Sequence, residues 1–140
     1  MMSDLNIRRA LASTLVNAGI PIDRIAFENT SFDPTGKDYY VAFYFFPAED
    51  IAMGKLQSDN VDQTGFVQVS VFVKMNLGDY GTLYYQTIDT LKGAFLSGLE
   101  TSYNSQVVEI QDLTNINPTE SESWYQGGLT INYQAFKARG

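Results

Sequence analysis

Phe66-Val67-Gln68-Val69-Ser70-Val71-Phe72-Val73-Lys74 alternates at a period of two, with four valines on one side of an extended chain. Phe66, Gln68, Ser70, Phe72 and Lys74 take the other side, which is the pattern of a strand laid on an apolar core. Upstream, a strand from Asp38 to Phe46 carries Tyr39, Val41, Phe43 and Phe45 on one face and Tyr40, Ala42, Tyr44 and Phe46 on the other. Both faces are apolar. Such a strand is either buried on two sides or keeps one side for another molecule. Downstream, Asn76, Gly78 and Asp79 break the alternation, and a helix is expected over about Tyr80 to Ser97. Tyr84, Ile88, Leu91 and Phe95 form its stripe, Asp79 its cap and Gly98 its stop.

The rest of the chain extends this frame. Ile7, Leu11, Leu15 and Ala18 recur at helical spacing over residues 4–18, closed by Gly19 and Pro21. A short strand is expected at Arg24 to Asn29, and a turn at Asp33-Pro34-Thr35-Gly36 with Pro34 at its first central position. Pro47 ends the aromatic strand. Ala48 to Thr64 mixes charges with Ile51, Met53 and Leu56 and reads as a long connection. Val107 to Leu113 is a strand with Val108 and Ile110 inward, and Asn115 to Ser123 is a polar loop. A last strand begins near Trp124, is interrupted by a bulge at Gly127-Gly128, and alternates through Leu129, Ile131, Tyr133 and Ala135. The expected fold is one α+β domain spanning residues 1–140. It has a mostly antiparallel, mixed sheet of about five strands and two helices packed on one face.

Composition narrows the function. The chain has 140 residues, 44% hydrophobic and 18% charged, enough to bury about 70% of the unfolded surface in one domain. A net charge of −7 opposes sequence-driven binding to free nucleic acid. Cysteine and histidine are both absent, which removes disulfide scaffolds, thiol and Ser-His-Asp catalysis, and histidine or cysteine metal sites. No apolar stretch near the start is long enough for a signal peptide or membrane span. Asn29-Thr30-Ser31 fits a glycosylation pattern only by chance.

The candidate chemical motifs have plainer readings. Gly36-Lys37-Asp38 contains the Gly-Lys of a phosphate loop without its upstream glycine or following helix. Glu49 and Asp50 are adjacent carboxylates, whereas acid–base work needs two that converge on one substrate. Asp59 and Asp62 lack the twelve-residue calcium pattern. Trp124-Tyr125 could be a ligand platform, but aromatics equally anchor interfaces and cores. The residues speak for an interaction domain rather than an enzyme, and no cofactor, metal or catalytic residue is expected.

Taken in order, several segments resemble the tail terminator, or tail completion, proteins of long-tailed bacteriophages. They are Ile7-Arg8-Arg9-Ala10-Leu11, Ile25-Ala26-Phe27-Glu28-Asn29-Thr30-Ser31-Phe32, Phe45-Phe46-Pro47-Ala48-Glu49, Gly65-Phe66-Val67-Gln68-Val69-Ser70-Val71, and Trp124-Tyr125 with Ile131-Asn132-Tyr133. The resemblance runs from about residue 4 to 137, and its specificity lies in order and spacing. It implies a structural virion protein of the tail, assembled in the host cytoplasm as a homo-oligomeric ring, usually a hexamer. Such a ring caps the tail tube, stops addition of tube protein, and offers a surface to the head-completion or neck protein. DNA passes through its lumen without specific binding, which an acidic protein permits.

Within that resemblance, Tyr40, Tyr44, Phe46, Phe66 and Phe72 are the candidate subunit interface. Glu49, Asp50, Ile51, Met53, Lys55 and Leu56 are the candidate partner contact, and Phe32, Glu120 and Glu122 are candidates for the opposite rim. A neck or head–tail connector protein one layer higher, and a small ligand-binding α+β module with the aromatic strand as a pocket wall, are the alternatives.

Overall fold

Val67, Val69, Val71 and Val73 are all fully buried, and what covers them is a layer of two helices. The computed structural model describes residues 4–27, 32–46, 63–103, 106–121 and 123–137. Its elements are α1 (Asp4–Asn17), β1 (Ile25–Phe27), β2 (Tyr39–Phe46), β3 (Gln63–Lys74), α2 (Tyr80–Ala94), β4 (Glu100–Tyr103), β5 (Gln106–Ser121) and β6 (Trp124–Lys137). The strands form one sheet in the order β1-β2-β3-β6-β5-β4. β1 runs parallel to β2 and every other pair is antiparallel, so the expected mixed α+β fold holds, with six strands in place of about five.

Both helices lie on the same face of the sheet. α1 contributes Ile7, Leu11 and Leu15 to the core and packs on β4 and β5, with Thr14 donating to the Thr101 hydroxyl at 3.1 Å. α2 contributes Tyr84, Ile88, Leu91 and Phe95 and packs on β3 and β6. The Asp79 carboxylate caps α2 by accepting from the Thr82 amide and hydroxyl, at 3.3 and 2.7 Å. The helix closes at Ala94, one turn before the expected end. The Phe95 amide makes the last bond back to Leu91, and Phe95 then drops into the core.

Four expectations are corrected. Gln63 and Thr64 belong to β3, so the connection after β2 is shorter than Ala48–Thr64. Asn115 to Ser121 is not loop but the second half of β5, paired with β6 from Leu129 to Trp124. Its polarity hid it: backbone pairing, rather than a buried face, holds this part of the strand, and Pro118 sits where the register slips and no ladder donor is needed. The Gly127-Gly128 bulge is not on β6, which pairs with β3 without a break. The extra residues are on β5, at Gln111 and between Ile116 and Thr119. The turn after Phe32 is set one residue later than expected. The Lys37 amide donates to Pro34 O at 3.0 Å, Gly36 takes φ +81°, and Asp33 accepts from the Thr35 amide.

The two glycines of β6 have another purpose. Tyr84 enters from α2 and its hydroxyl accepts the Gly128 N–H at 3.0 Å. A Cβ on Gly127 would collide with that hydroxyl, and one on Gly128 (φ +144°) with the Val69 carbonyl. Glycine is required here by close approach.

Candidate functional site

The sheet face away from the helices brings the expected interface residues together. Antiparallel register sets Tyr40 opposite Phe72, Ala42 opposite Ser70, Tyr44 opposite Gln68 and Phe46 opposite Phe66. Cross-strand neighbours on one face are close enough for rings to stack. Tyr40 and Phe72 do so at 4.6 Å and 9°, and Phe46 and Phe66 at 4.6 Å and 19°. Phe32 leans on Tyr40 at 4.9 Å, and Trp124 meets Tyr40 edge-on at 5.2 Å. Thus Phe32, Tyr40, Phe72 and Trp124 make one cluster, and Phe46 and Phe66 make a second, with Tyr44 beside it.

Burial divides the two clusters. Tyr40, Phe72 and Trp124 are half-buried by one another. Burial, reinforced by the nearby Tyr44 phenol, pushes the Tyr40 hydroxyl above its ordinary pKa. Tyr44, Phe46 and Phe66 stay open to solvent at 39%, 41% and 38%. Three large rings grouped on a helix-free face are a patch rather than a scatter of single exposed side chains.

Two cations border the aromatic cluster. The Lys74 ammonium lies 5.5 Å from the Trp124 ring, and the Lys37 ammonium 5.8 Å from Phe32. Both are cation–π distances. The sequence shows Lys37 only as the lysine of an incomplete phosphate loop and Lys74 only as a member of the Phe66 and Phe72 face, and assigns neither to the interface. Next to the cluster, where β6 carries Gly127, a hollow of about 230 Å³ opens between Gln68, Ser70 and Thr119. The Gln68 amide donates to the Ser70 hydroxyl at 3.1 Å within it.

The other named residues are placed differently. Glu120 is on the helix side, where it accepts from the Tyr80 hydroxyl at 2.9 Å, so it and Phe32 stand on opposite faces. That bond, made to a carboxylate, raises the Tyr80 pKa. Glu49, Asp50, Ile51, Met53, Lys55, Leu56 and Glu122 lie outside the described residues. Trp124 and Tyr125, adjacent in sequence, point to opposite faces. Tyr125 packs with Tyr80 and Tyr84 at 5.0 and 5.1 Å beneath α2, so the pair is not a single platform.

Among the described residues no group of three or more acidic side chains could hold a metal ion, and no helix is long and apolar enough to cross a membrane. What the β2–β3 side of the helix-free face offers chemically is ring surface, two ammonium groups and a small polar hollow, with the Glu109 and Asp112 carboxylates farther out on β5. Exposed aromatic rings of this kind are enriched at protein–protein interfaces.

Comparison with known proteins follows the same line. Three solved chains match this one. One of them, known by a serial label alone, aligns over 100% of both chains with a TM-score of 0.76 at 22% identity, a likeness of fold. No curated protein matches the sequence. The model of the family described as phage tail terminator protein matches residues 6–133, nearly the whole chain, and the chain therefore belongs to the phage tail terminator proteins.

Proposed function

We propose that this tail protein closes into a ring, a hexamer, on the end of the tail tube. The ring stops further addition of tube protein and presents a fresh surface to the head-completion or neck protein. It does so by shape and contact, without catalysis and without a cofactor. The observation that carries the reading is the exposed ring surface of Tyr44, Phe46 and Phe66 on a face the two helices do not cover. A head-to-tail contact burying that surface generates a closed ring when the rotation between neighbours closes, and a closed ring has no free end to propagate.

The remaining assignments follow from the ring. The acidic chain, at −7, leaves DNA free to pass through the lumen, since it is Lys and Arg contacts that hold phosphates. Glu49, Asp50, Ile51, Met53, Lys55 and Leu56 are proposed to contact the tube or the next subunit. Assembly takes place in the host cytoplasm before the tail joins the head.

The test is the mass of the purified protein alone and with tube protein added. A sixfold species, or arrest of tube growth at substoichiometric amounts, is the expected result. A protein that stays monomeric with tube protein present and leaves tube growth unlimited overturns the reading.

A further inference from the structure

A head-to-tail ring needs two different surfaces that fit each other. The aromatic face supplies one; its complement must be elsewhere on the same chain. The helix layer carries its own exposed apolar side chains, among them Tyr85 at 53% and Leu96. Tyr85 stands on the solvent side of α2, one turn from Asp89, so both project from one stripe of the helix. Asp79, Tyr85 and Asp89 line a shallow, wide-open groove along α2, where Gly81 carries no side chain.

Charge separates the two surfaces as well. The β2–β3 half of the sheet face holds Lys37 and Lys74 over aromatic rings, with Asp33 near Lys37 and Asp38 ion-paired to Arg24; Glu109 and Asp112 stand away on β5. The α2 groove holds two exposed carboxylates and no cation among its lining residues, Lys92 lying beyond it in the last turn. In a chain of net charge −7, the cationic aromatic face is the exception, and a second copy offers the acidic groove that matches it. Resting on the ring reading above, we propose that the β2–β3 face of one copy docks on the α2 groove of the next. Lys74 then faces Asp79 and Asp89, and the rings cover Tyr85.

The absence of cysteine makes a clean test possible. Lys74→Cys and Asp89→Cys are made singly and together, mixed with tube protein, and treated with a short bis-maleimide. The expected result is a ladder of covalent multimers beyond the dimer in the double variant and none in either single variant. A single variant that gives as much dimer as the double one, with nothing larger, means that like faces meet and overturns the proposal. Ring-sized species by native mass without these cross-links overturn it while leaving the ring intact, and cross-links to tube protein alone assign the surfaces to the tube and overturn it too. Wild-type protein that never exceeds a monomer removes this proposal and the ring together.

Discussion

Phe46→Ala with Phe66→Ala removes the stacked pair that remains open at 41% and 38% in one copy. Full burial of a phenylalanine stabilises by about 1.5–3 kcal/mol, so covering the exposed share of each ring in an interface contributes about 0.6–1.2 kcal/mol. The pair therefore contributes about 1.2–2.4 kcal/mol per interface, roughly a ten- to fiftyfold change in each subunit–subunit association constant. A closed hexamer repeats the contact at every joint, so the whole ring loses about 7–14 kcal/mol. Within one subunit the same change loses the buried share, about 1–2 kcal/mol per ring, which a domain stable by about 5–15 kcal/mol tolerates. Native mass spectrometry with tube protein reads the ring, and urea unfolding with circular dichroism reads the fold. A folded double variant that forms rings at the wild-type concentration refutes the reasoning.

Other outcomes follow from the interior. Tyr84→Phe leaves the buried Gly128 N–H without its acceptor and lowers stability by about 1–3 kcal/mol in urea unfolding. Gly127→Ala forces a methyl against the Tyr84 hydroxyl at a similar cost, so the two changes together should cost less than their sum; strict additivity in the cycle counts against the contact. Burial holds the Tyr84 phenol proton more tightly in the folded state than in the unfolded chain, raising its pKa above 10.0. Its contribution to stability is full below pH 10 and drains as pH climbs toward the folded value, so alkaline unfolding curves of Tyr84→Phe should fall less steeply than those of the wild type. Met53→Asp with Leu56→Asp should disturb tail-length control, and unchanged tails would remove those residues from the proposed contact.

The sequence was most informative where side chains alternate between core and solvent. The β3 valines, the β6 run from Leu129 to Ala135 and the α2 stripe ending at Phe95 are each read directly from their period, and all are buried. β4 escaped because its four residues, Glu-Thr-Ser-Tyr, hold a sheet edge through backbone pairing to β5 rather than through an apolar stripe. The far half of β5 escaped for the same reason. The interface candidates were legible because Tyr40, Tyr44 and Phe46 share strand parity, and Phe66 and Phe72 share theirs. What parity alone does not supply is register, which set Phe46 against Phe66 rather than one residue off and brought Lys74 to Trp124.

The sheet also indicates how copies would meet. An exposed strand edge is the simplest way for one sheet to join another, because its unpaired amides and carbonyls form a ready template. Among the described residues the outermost strands are β1, with three residues, and β4, with four, so each covers its neighbour only in part: β5 beyond Ile110 and β2 beyond Phe43 keep one side without a strand partner. β3 is paired on both sides from Phe66 to Val73 and offers a neighbour side chains alone, whereas Tyr44 to Phe46 of β2 pair only with β3 among the described residues. A face has a fixed extent, and when it meets a different face at a constant rotation, the number of copies is set by the angle at which the last one returns to the first. Copies joined through this face therefore form a ring only when that rotation closes, and a rotation that does not close leaves an open helix.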